Sequence, residues 1–561
     1  MSETTPWLKH YGHVPATLEY PRVTLYDTVM ESALATPEAV AFDFLGQRTT
    51  YRELGDAVDR CADGLASIGL GAGDRITIAM PTCPQGVIAF YAATKLGAVA
   101  SMIHPLSTSN EIAQYLNLSR SRFALTLDLF YAKFAEIRAT TPLETLIIAG
   151  IADDLSLVKR AGFWLTRGRK IPRVPKDAQV HRWSTLMAGD YEAAPSANAN
   201  TDDLAAILYS GGTTGTPKGI MLSHQNFISE GIELAAWVKL GPQDTVLAVL
   251  PIFHGFGLAA LIHAPLMRGA KIVMVPVFSA ETVAKLIRTA RPTLMAGVPT
   301  LYDTLSRDPS LWRADLSCLR AAFSGADTLP GPVKERFESL VAARGGNVTL
   351  LEGYGLTEAV TAIMGSPLHE YRAGSVGIPF PDTLAKICEP GSIEELAPGE
   401  EGEICISGPA VMLGYLDDDE ATAAALKVHR DGRTWLHTGD IGTMDPDGFF
   451  TFISRLKRMI KSSGFNVYPA QVEAVLYQHP AVAEACVVGI PDSAQGERVT
   501  AFVVAKDPTQ EGSALADELI RHCQVHLIKW SCPRAVTFRR ELPKTRVGKV
   551  DFLALTREEA L

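Results

Sequence analysis

Two rhythms of apolar residues alternate along the first 150 positions. Stretches such as YRELGDAVDRCADGLASIG (51–69) carry apolar side chains at the three-to-four spacing of a helix with one buried face. Between them lie short unbroken apolar runs, RITIAM (75–80), ASMI (100–103) and ETLIIAG (144–150), the pattern of strands covered on both faces. Similar runs return as TVLAVLPIF (245–253), AKIVMVP (270–276) and PTLMAGVP (292–299). Helices alternating with buried strands predict an α/β fold of mostly parallel sheets flanked by helices. Glycine and proline turn signals crowd together from 373 to 450, which predicts a β-rich part. From about 470 a compact pattern of helices and strands follows (QVEAVLYQHP, EACVVGI, VTAFVVA, ELIRHCQVHLI, AVTFRR), about 100 residues long and the size of a separate domain. The small-residue polar stretch AGDYEAAPSANANTDD (188–203) reads as a linker.

Composition narrows this picture. The 561 residues are 47% hydrophobic and 20% charged, as in soluble globular proteins, and the formal charge of -10 argues against a general nucleic-acid binder. Residues 455–561 hold 15 Lys+Arg against 12 Asp+Glu, a charge of +3, while the rest holds 37 against 50, or -13. A basic C-terminal module on an acidic body suits a lid that handles phosphates, and a chance surface bias gives the same numbers. The eight cysteines show no Cys-x-x-Cys pair and no Cys/His cluster in the sequence, so neither a disulfide framework nor a zinc site is expected, and reduced cytoplasmic thiols are the default. MSETTPWLKHYGHVP lacks the apolar core of a signal peptide. The most apolar stretch, GVIAFYAATKLGAVASMI (86–103), contains Lys95 and reads as buried core, not a membrane span.

The first chemical signal is YSGGTTGTPKG (209–219). A Walker loop needs Gly-Lys-Ser/Thr as consecutive residues, and here Pro217 separates Thr216 from Lys218 while Gly219 follows the lysine. It is not a Walker loop, yet its glycines allow close backbone approach and Ser210, Thr213, Thr214 and Thr216 supply hydroxyls, with Lys218 as cation. Four further islands are weak singly: EGYGLTE (352–358), LHTGD (436–440), SRLKRMIKSSGFNVYP (454–469) and LPKTRVGK (542–549).

In this order the islands resemble the adenylate-forming superfamily of acyl-CoA synthetases, luciferases and peptide-synthetase adenylation domains. The likeness runs from TTYREL (49–54) to Lys549 and includes LPIFHGFG (250–257), FSGADTLP (323–330), GSVGIPFPD (374–382) and GEICISGPAVMLGY (402–415). It implies a large multi-layer N-terminal domain, 1–454, with a β-rich subdomain, and a small mobile α+β C-terminal domain, 455–561, hinged near Lys457. It implies ATP, Mg²⁺ and coenzyme A as cofactors. Ser210, Thr213, Thr214, Gly215, Thr216 and Lys218 would wrap phosphates. Gly325, Ala326 and Asp327 would flank the adenine, opposite Gly353 and Tyr354. Asp440 and Arg455 would hold the ribose, Glu358 would ligate the metal, and Thr357 would touch the α-phosphate. Lys549 would bridge the substrate carboxylate and the α-phosphate. Lys461, Ser463 and Gly464 join the cofactor-binding set.

Within the superfamily, peptide-synthetase modules commonly place an acid in the segment corresponding to LPIFHGFG, whereas His254 stands there in this chain. An α-amino group would lack its counter-ion, so a carboxylic acid with an apolar tail fits better. The matching histidine of acyl-CoA synthetases lines the path between tail and carboxylate; a helix-capping histidine is the plain alternative. Gly255, Gly257, Ala259 and Ala260 are small enough to leave a tunnel open, or serve tight packing. The wording of GFNVYPAQVEAVLYQHPAV (464–482) is similar to bacterial long-chain fatty acyl-CoA synthetases. The expected activity is ATP-dependent ligation of a medium- or long-chain fatty acid to CoA. The alternatives are a ligase that loads a carrier protein, and a CoA ligase for an aromatic or alicyclic acid. Ser463 and Ser531 replace lysines common in the family.

One stretch lies outside the shared motifs. LVKRAGFWLTRGRKIPRVPKDAQVHRW (157–183) carries eight Lys/Arg, one acid and the aromatics Phe163, Trp164 and Trp183. Basic residues interleaved with aromatics suit a membrane-surface element on a cytoplasmic protein, and a solvated surface is the plain alternative. Monomer and homodimer remain open.

Overall fold

The computed structural model describes residues 5–150, 152–153, 171, 174–210, 217–462, 465–492, 495–544 and 550–560. Among these residues the chain forms four sheets. The eight-stranded one is built on parallel strands Val99–Met102, Arg75–Ala79, Phe123–Leu127, Thr145–Ala149 and Val180–Arg182, with Leu204–Ser210 parallel to Val99–Met102 and Lys218–Ser223 antiparallel beyond it. The nine-stranded one has a parallel centre, Val40–Phe44, Lys271–Met274, Thr245–Ala248, Leu294–Gly297, Ala321–Ser324 and Leu350–Gly355, with antiparallel edges. The apolar runs of the sequence supply these central strands. Such strands need cover on both faces, and the helices between them provide it.

Local chemistry fixes the helices. Tyr51–Ser67 starts at Thr50, whose side chain accepts from the Glu53 amide while the Thr50 amide donates to the Glu53 carboxylate, a capping box. Pro84–Lys95 is buried all round, as its uniform apolarity demands. Lys95 survives there because its ammonium pairs with Asp59 at 2.9 Å. The stretch 188–203 does not separate two units. Its Ala194 amide donates to Asp63 and its Ala197 amide to the Lys95 carbonyl, and the strand that follows joins the same sheet.

The turn-rich region forms an antiparallel five-stranded sheet, Leu384–Cys388, Gly402–Ser407, Thr434–Met444 and Leu426–Val428, with Phe450–Arg455 paired to Thr434–Met444. The 3-10 turn Leu456–Arg458 leads from it to Ile460–Ser462, the start of a fourth sheet with Val482–Asp492, Gly496–Ala505 and Ala535–Phe538. The C-terminal part buries an apolar cluster of its own, including Val472, Leu476, Val503 and Leu519. Among the described residues no helix is long and apolar enough to cross a membrane. Most of 157–183 lies outside the described residues, but Trp183 is buried at 5% exposure and belongs to the core, not to a surface patch.

Candidate active site

Antiparallel pairing builds the end of the candidate site that is expected to take the ribose. Asp440 and Arg455 are direct cross-strand partners. Arg455 Nε lies 2.8 Å from Asp440 Oδ1, and the Tyr354 hydroxyl donates to Oδ2 at 2.7 Å. Tyr354 is held well above the usual phenol range by burial and by the Asp440 charge. The strand residues around it are tied from behind. The Gly439 amide donates to Glu403 Oε1 at 2.9 Å, and the Asp440 amide donates to the Thr438 hydroxyl. Burial alone would raise the Glu403 carboxyl, but hydrogen bonds from His437 and Gly439 outweigh it and lower it.

Thr357 and Glu358 stand on a single 3-10 turn that ends in strain. Val360 adopts φ +63°, ψ -65°, and the Thr361 amide donates to the Ala359 carbonyl at 2.7 Å. This is the positive-φ γ-turn, unusual for any residue and more so for a β-branched one. Such a conformation costs about 1–3 kcal/mol and persists only where its surroundings enforce it. Three contacts do so. A Cβ at Gly255 would lie 1.8 Å from the Val360 carbonyl oxygen, and one at Gly355 would lie 1.5 Å from that of Thr361. The Ala362 amide donates to the buried Glu230 carboxyl at 2.8 Å.

At the end expected to take the phosphates, Ser210 and Lys218 are paired residues of antiparallel strands Leu204–Ser210 and Lys218–Ser223. The Gly/Thr-rich segment therefore closes a strand pair, whereas a Walker loop runs from strand into helix. Gly211 to Thr216 lie outside the described residues, and with them Thr213, Thr214, Gly215 and Thr216. Lys218 Nζ sits 4.4 Å from the Tyr415 ring centre, and the Tyr415 hydroxyl donates to Glu358 Oε1 at 2.9 Å. Tyr415 thus links the phosphate segment to the expected metal ligand. Sequence reading missed it, although it ends the quoted stretch GEICISGPAVMLGY.

These groups open into one cleft of about 3330 Å³. Ser210, Lys218, Thr357, Glu358, Asp440 and Arg455 line it. Gly325, Ala326, Asp327, Gly353 and Tyr354 line it as well, and Gly325 faces the Gly353 carbonyl and the Phe256 ring across a narrow slot. Asp327 also forms its own turn, accepting from the Thr328 amide. Glu352, beside them, is pushed up to about 7 by burial, against the Leu329 amide and Lys334. His254 lines the cleft too, and its Nδ1 accepts from the Phe256 amide at 3.2 Å, which assigns the ring proton to Nε2. It caps the π-helical segment Phe256–His263 while facing the cavity.

Beyond His254 the wall turns apolar, with Leu234, Trp237, Val238, Leu240, Leu261 and Ala264. Of the four small residues near His254, Ala260 borders this space. Gly255 and Gly257 are small because backbone carbonyls press on them, the latter with Pro251 oxygen 2.1 Å from an added Cβ, and Ala259 is core. Lys461 is exposed on strand Ile460–Ser462 and does not line the cleft. Ser463, Gly464 and Lys549 lie outside the described residues. Lys544 and Val550, which flank the Lys549 segment, form an antiparallel bridge, and both border the cleft.

Residues 29–416 match the sequence profile of the AMP-binding enzyme family, and 471–549 that of the AMP-binding enzyme C-terminal domain. The chain belongs to the AMP-binding enzyme family. As a member, it is 36% identical to a long-chain-fatty-acid–CoA ligase of Bacillus subtilis, over 100% of this chain and 99% of that one. It is 34% identical to the long-chain-fatty-acid–CoA ligase of Salmonella typhimurium, over 97% and 96%. Among solved structures, ATP-bound MatB from Rhodopseudomonas palustris superposes with a TM-score of 0.84 at 27% identity, covering 96% of this chain and 99% of that one. Its apo form gives 0.73 with the same identity and coverage.

Proposed function

We propose that this AMP-binding enzyme is an ATP-dependent fatty acid–CoA ligase. One observation carries the reading: a single cleft joins the polar groups around Asp440 and Glu358 to an apolar branch, with His254 between them. A nucleotide fits one end and an acyl tail the other. In the first step a carboxylate oxygen attacks the α-phosphorus of ATP, the bond to the β-phosphate breaks, and pyrophosphate leaves. In the second the CoA sulfur attacks the acyl carbonyl, loses its proton, and expels AMP.

The first step brings an anion to an anion, so the work is charge neutralisation and positioning. Asp440 accepts from the ribose hydroxyls, with Tyr354 and Arg455 fixing its carboxylate. Gly325, Ala326 and Asp327 flank the base, with the neighbouring Gly353 and Tyr354 completing its wall. Ser210 and Lys218, with Thr213, Thr214, Gly215 and Thr216, hold the phosphates, and Thr357 donates to the α-phosphate. Glu358 offers the hard oxygen donor that magnesium requires, and its hydrogen bond from Tyr415 supports that role by fixing the carboxylate. A bound magnesium ion would neutralise phosphate charge there. His254 Nε2 donates toward the substrate carboxylate, and Lys549 stabilises the charge of the in-line transition state.

The second step needs access to the same carbonyl, so we place a pivot at Lys457, with 455–561 as the moving domain. Its position in the turn between two sheets supports this. The basic aromatic stretch 157–183, apart from the buried Trp183, is proposed to meet anionic membrane surface.

The decisive experiment is a panel of fatty, aromatic and alicyclic acids assayed for pyrophosphate release with and without CoA. Turnover with fatty acids that requires CoA is expected. Release with aromatic or alicyclic acids alone would replace the substrate class, and transfer to a carrier protein but not to CoA would replace the acceptor.

A further inference from the structure

Helix His224–Trp237 holds the strained turn beside Glu358 from two sides. Its Glu230 is 0% exposed and does not border the cleft. Glu230 Oε1 accepts from the Ala362 amide at 2.8 Å, and Oε2 meets no hydrogen-bond partner among the described residues. Ala362 follows the turn directly, at the point where pairing with strand Leu350–Gly355 shifts register. One helical turn before Glu230, the Asn226 side-chain amide donates to the Pro409 and Val411 carbonyls, both at 2.8 Å. The next amide, that of Met412, donates to the Glu358 carbonyl at 2.8 Å. Positions four apart share a helix face. One face therefore holds both the far end of the 357–361 turn and the segment that grips Glu358.

We propose that Glu230 is a positioning residue for adenylation: by holding the Ala362 amide it sets the turn that presents Thr357 and Glu358. The proposal rests on the adenylation reading above, in which those two residues meet the α-phosphate and the metal. The two glycines against this turn cannot replace it. Gly255 and Gly355 let the Val360 and Thr361 carbonyls approach closely, but such an approach only blocks movement inward. A hydrogen bond resists movement away. With the amide released, Val360 can leave the positive-φ region, which a β-branched residue adopts only under constraint. Thr357 and Glu358 precede it on the same turn and shift with it.

The side chain suits this task better than it suits the core. A leucine would fill the space, whereas a carboxyl with one unpartnered oxygen is costly to bury. Burial raises the Glu230 carboxyl well above the usual range, against the pull of the Ala362 amide, and Glu233, one helical turn on, is raised likewise. Burial therefore favours the protonated form, whose carbonyl oxygen still accepts. A glutamine offers the same acceptor, so the role needs an oxygen at this place and no charge. Glu233 is the internal comparison. It is equally buried on the same helix, but its partner is the Tyr20 hydroxyl at 3.3 Å, not the turn.

The test uses the full chain and acid-dependent ATP–pyrophosphate exchange, run on whichever acid the parent adenylates. A failed fatty-acid reading then shows in the parent, and a failed positioning role only in the variants. Glu230→Leu should lower kcat for exchange by about 100-fold, the effect of roughly 1 Å of misplacement, and leave the KM for the acid within about threefold of the parent. Glu230→Gln should restore the parental kcat, and Glu233→Leu should keep it. Deuterium exchange at the Ala362 amide should be roughly tenfold faster in Glu230→Leu than in the parent or Glu230→Gln. Should Glu230→Leu fail to fold, Glu230→Asp decides, because it keeps the carboxyl but withdraws it by one methylene and should lose kcat too. Parental kcat in a folded Glu230→Leu or Glu230→Asp overturns the role, even with a lowered melting temperature. So does a Glu230→Gln as slow as Glu230→Leu, or an equal loss in Glu233→Leu.

Discussion

A single methyl group at Gly255 should disable adenylation. Gly255→Ala places a Cβ 1.8 Å from the Val360 carbonyl oxygen and 2.9 Å from its carbon. Ordinary contact begins near 3.4 Å, so the two backbones must separate by about 1.6 Å. Neither side gives cheaply. Gly255 opens the buried π-helical segment, and Val360 is held in a strained γ-turn. Thr357 and Glu358 precede Val360 on that turn, so they absorb the shift. A displacement of about 1 Å at a reacting centre costs on the order of 100-fold, which is about 2.7 kcal/mol of transition-state stabilisation. The assay is fatty-acid-dependent ATP–pyrophosphate exchange, with a thermal melt to show that the variant folds. Overpacking itself should cost about 1–3 kcal/mol of stability. Gly71→Ala is the control, because its nearest neighbour would be 4.0 Å away. A folded Gly255→Ala that exchanges within about threefold of the parent would refute the reasoning, since the turn would then yield without moving its catalytic groups.

Four further outcomes are expected. Lys549→Ala should slow acyl-adenylate formation by roughly 100–1,000-fold while thioester formation from supplied acyl-adenylate survives; normal pyrophosphate exchange would remove Lys549 from the mechanism. Lys457→Pro should keep acyl-adenylate formation, read by hydroxylamine trapping, and lose most thioester synthesis, because proline fixes φ where a pivot must turn; equal retention of both would move the pivot elsewhere. Glu352 binds its proton more tightly folded than unfolded, with a carboxyl pushed up to about 7 from 4.5, so its contribution is full below about pH 4.5 and is lost as pH rises through about 7. Against Glu352→Gln, the parent should lose on the order of 3 kcal/mol between about pH 5 and about pH 8, and melting curves that keep a constant separation would reject this. Replacing Trp164, Arg167, Arg169 and Lys170 together should abolish low-salt sedimentation with anionic vesicles; parent protein that stays in the supernatant would end the membrane proposal.

The apolar rhythm by itself determined the strands at the centre of both large sheets, because a strand covered on two faces must be apolar at successive positions. Residue identity at short spacing ruled out a Walker loop, and the antiparallel pairing of Ser210 with Lys218 gives the same answer in space. The motif islands marked Asp440, Tyr354, Thr357 and Glu358, which the fold brings to one cleft from strands distant in sequence. Other features depend on contacts that no local pattern encodes. The smallness of Gly255 and Gly257 reads equally as an open tunnel or as tight packing until carbonyls from Val360 and Pro251 are seen against them. A polar stretch at 188–203 reads as a linker until its amides find Asp63 and Lys95. Scattered cysteines give no sign that Cys405 meets His437, because the register of two antiparallel strands alone makes them partners. Periodicity and spacing act within one element and are legible along the chain; register and close approach join elements, and only the folded chain decides them.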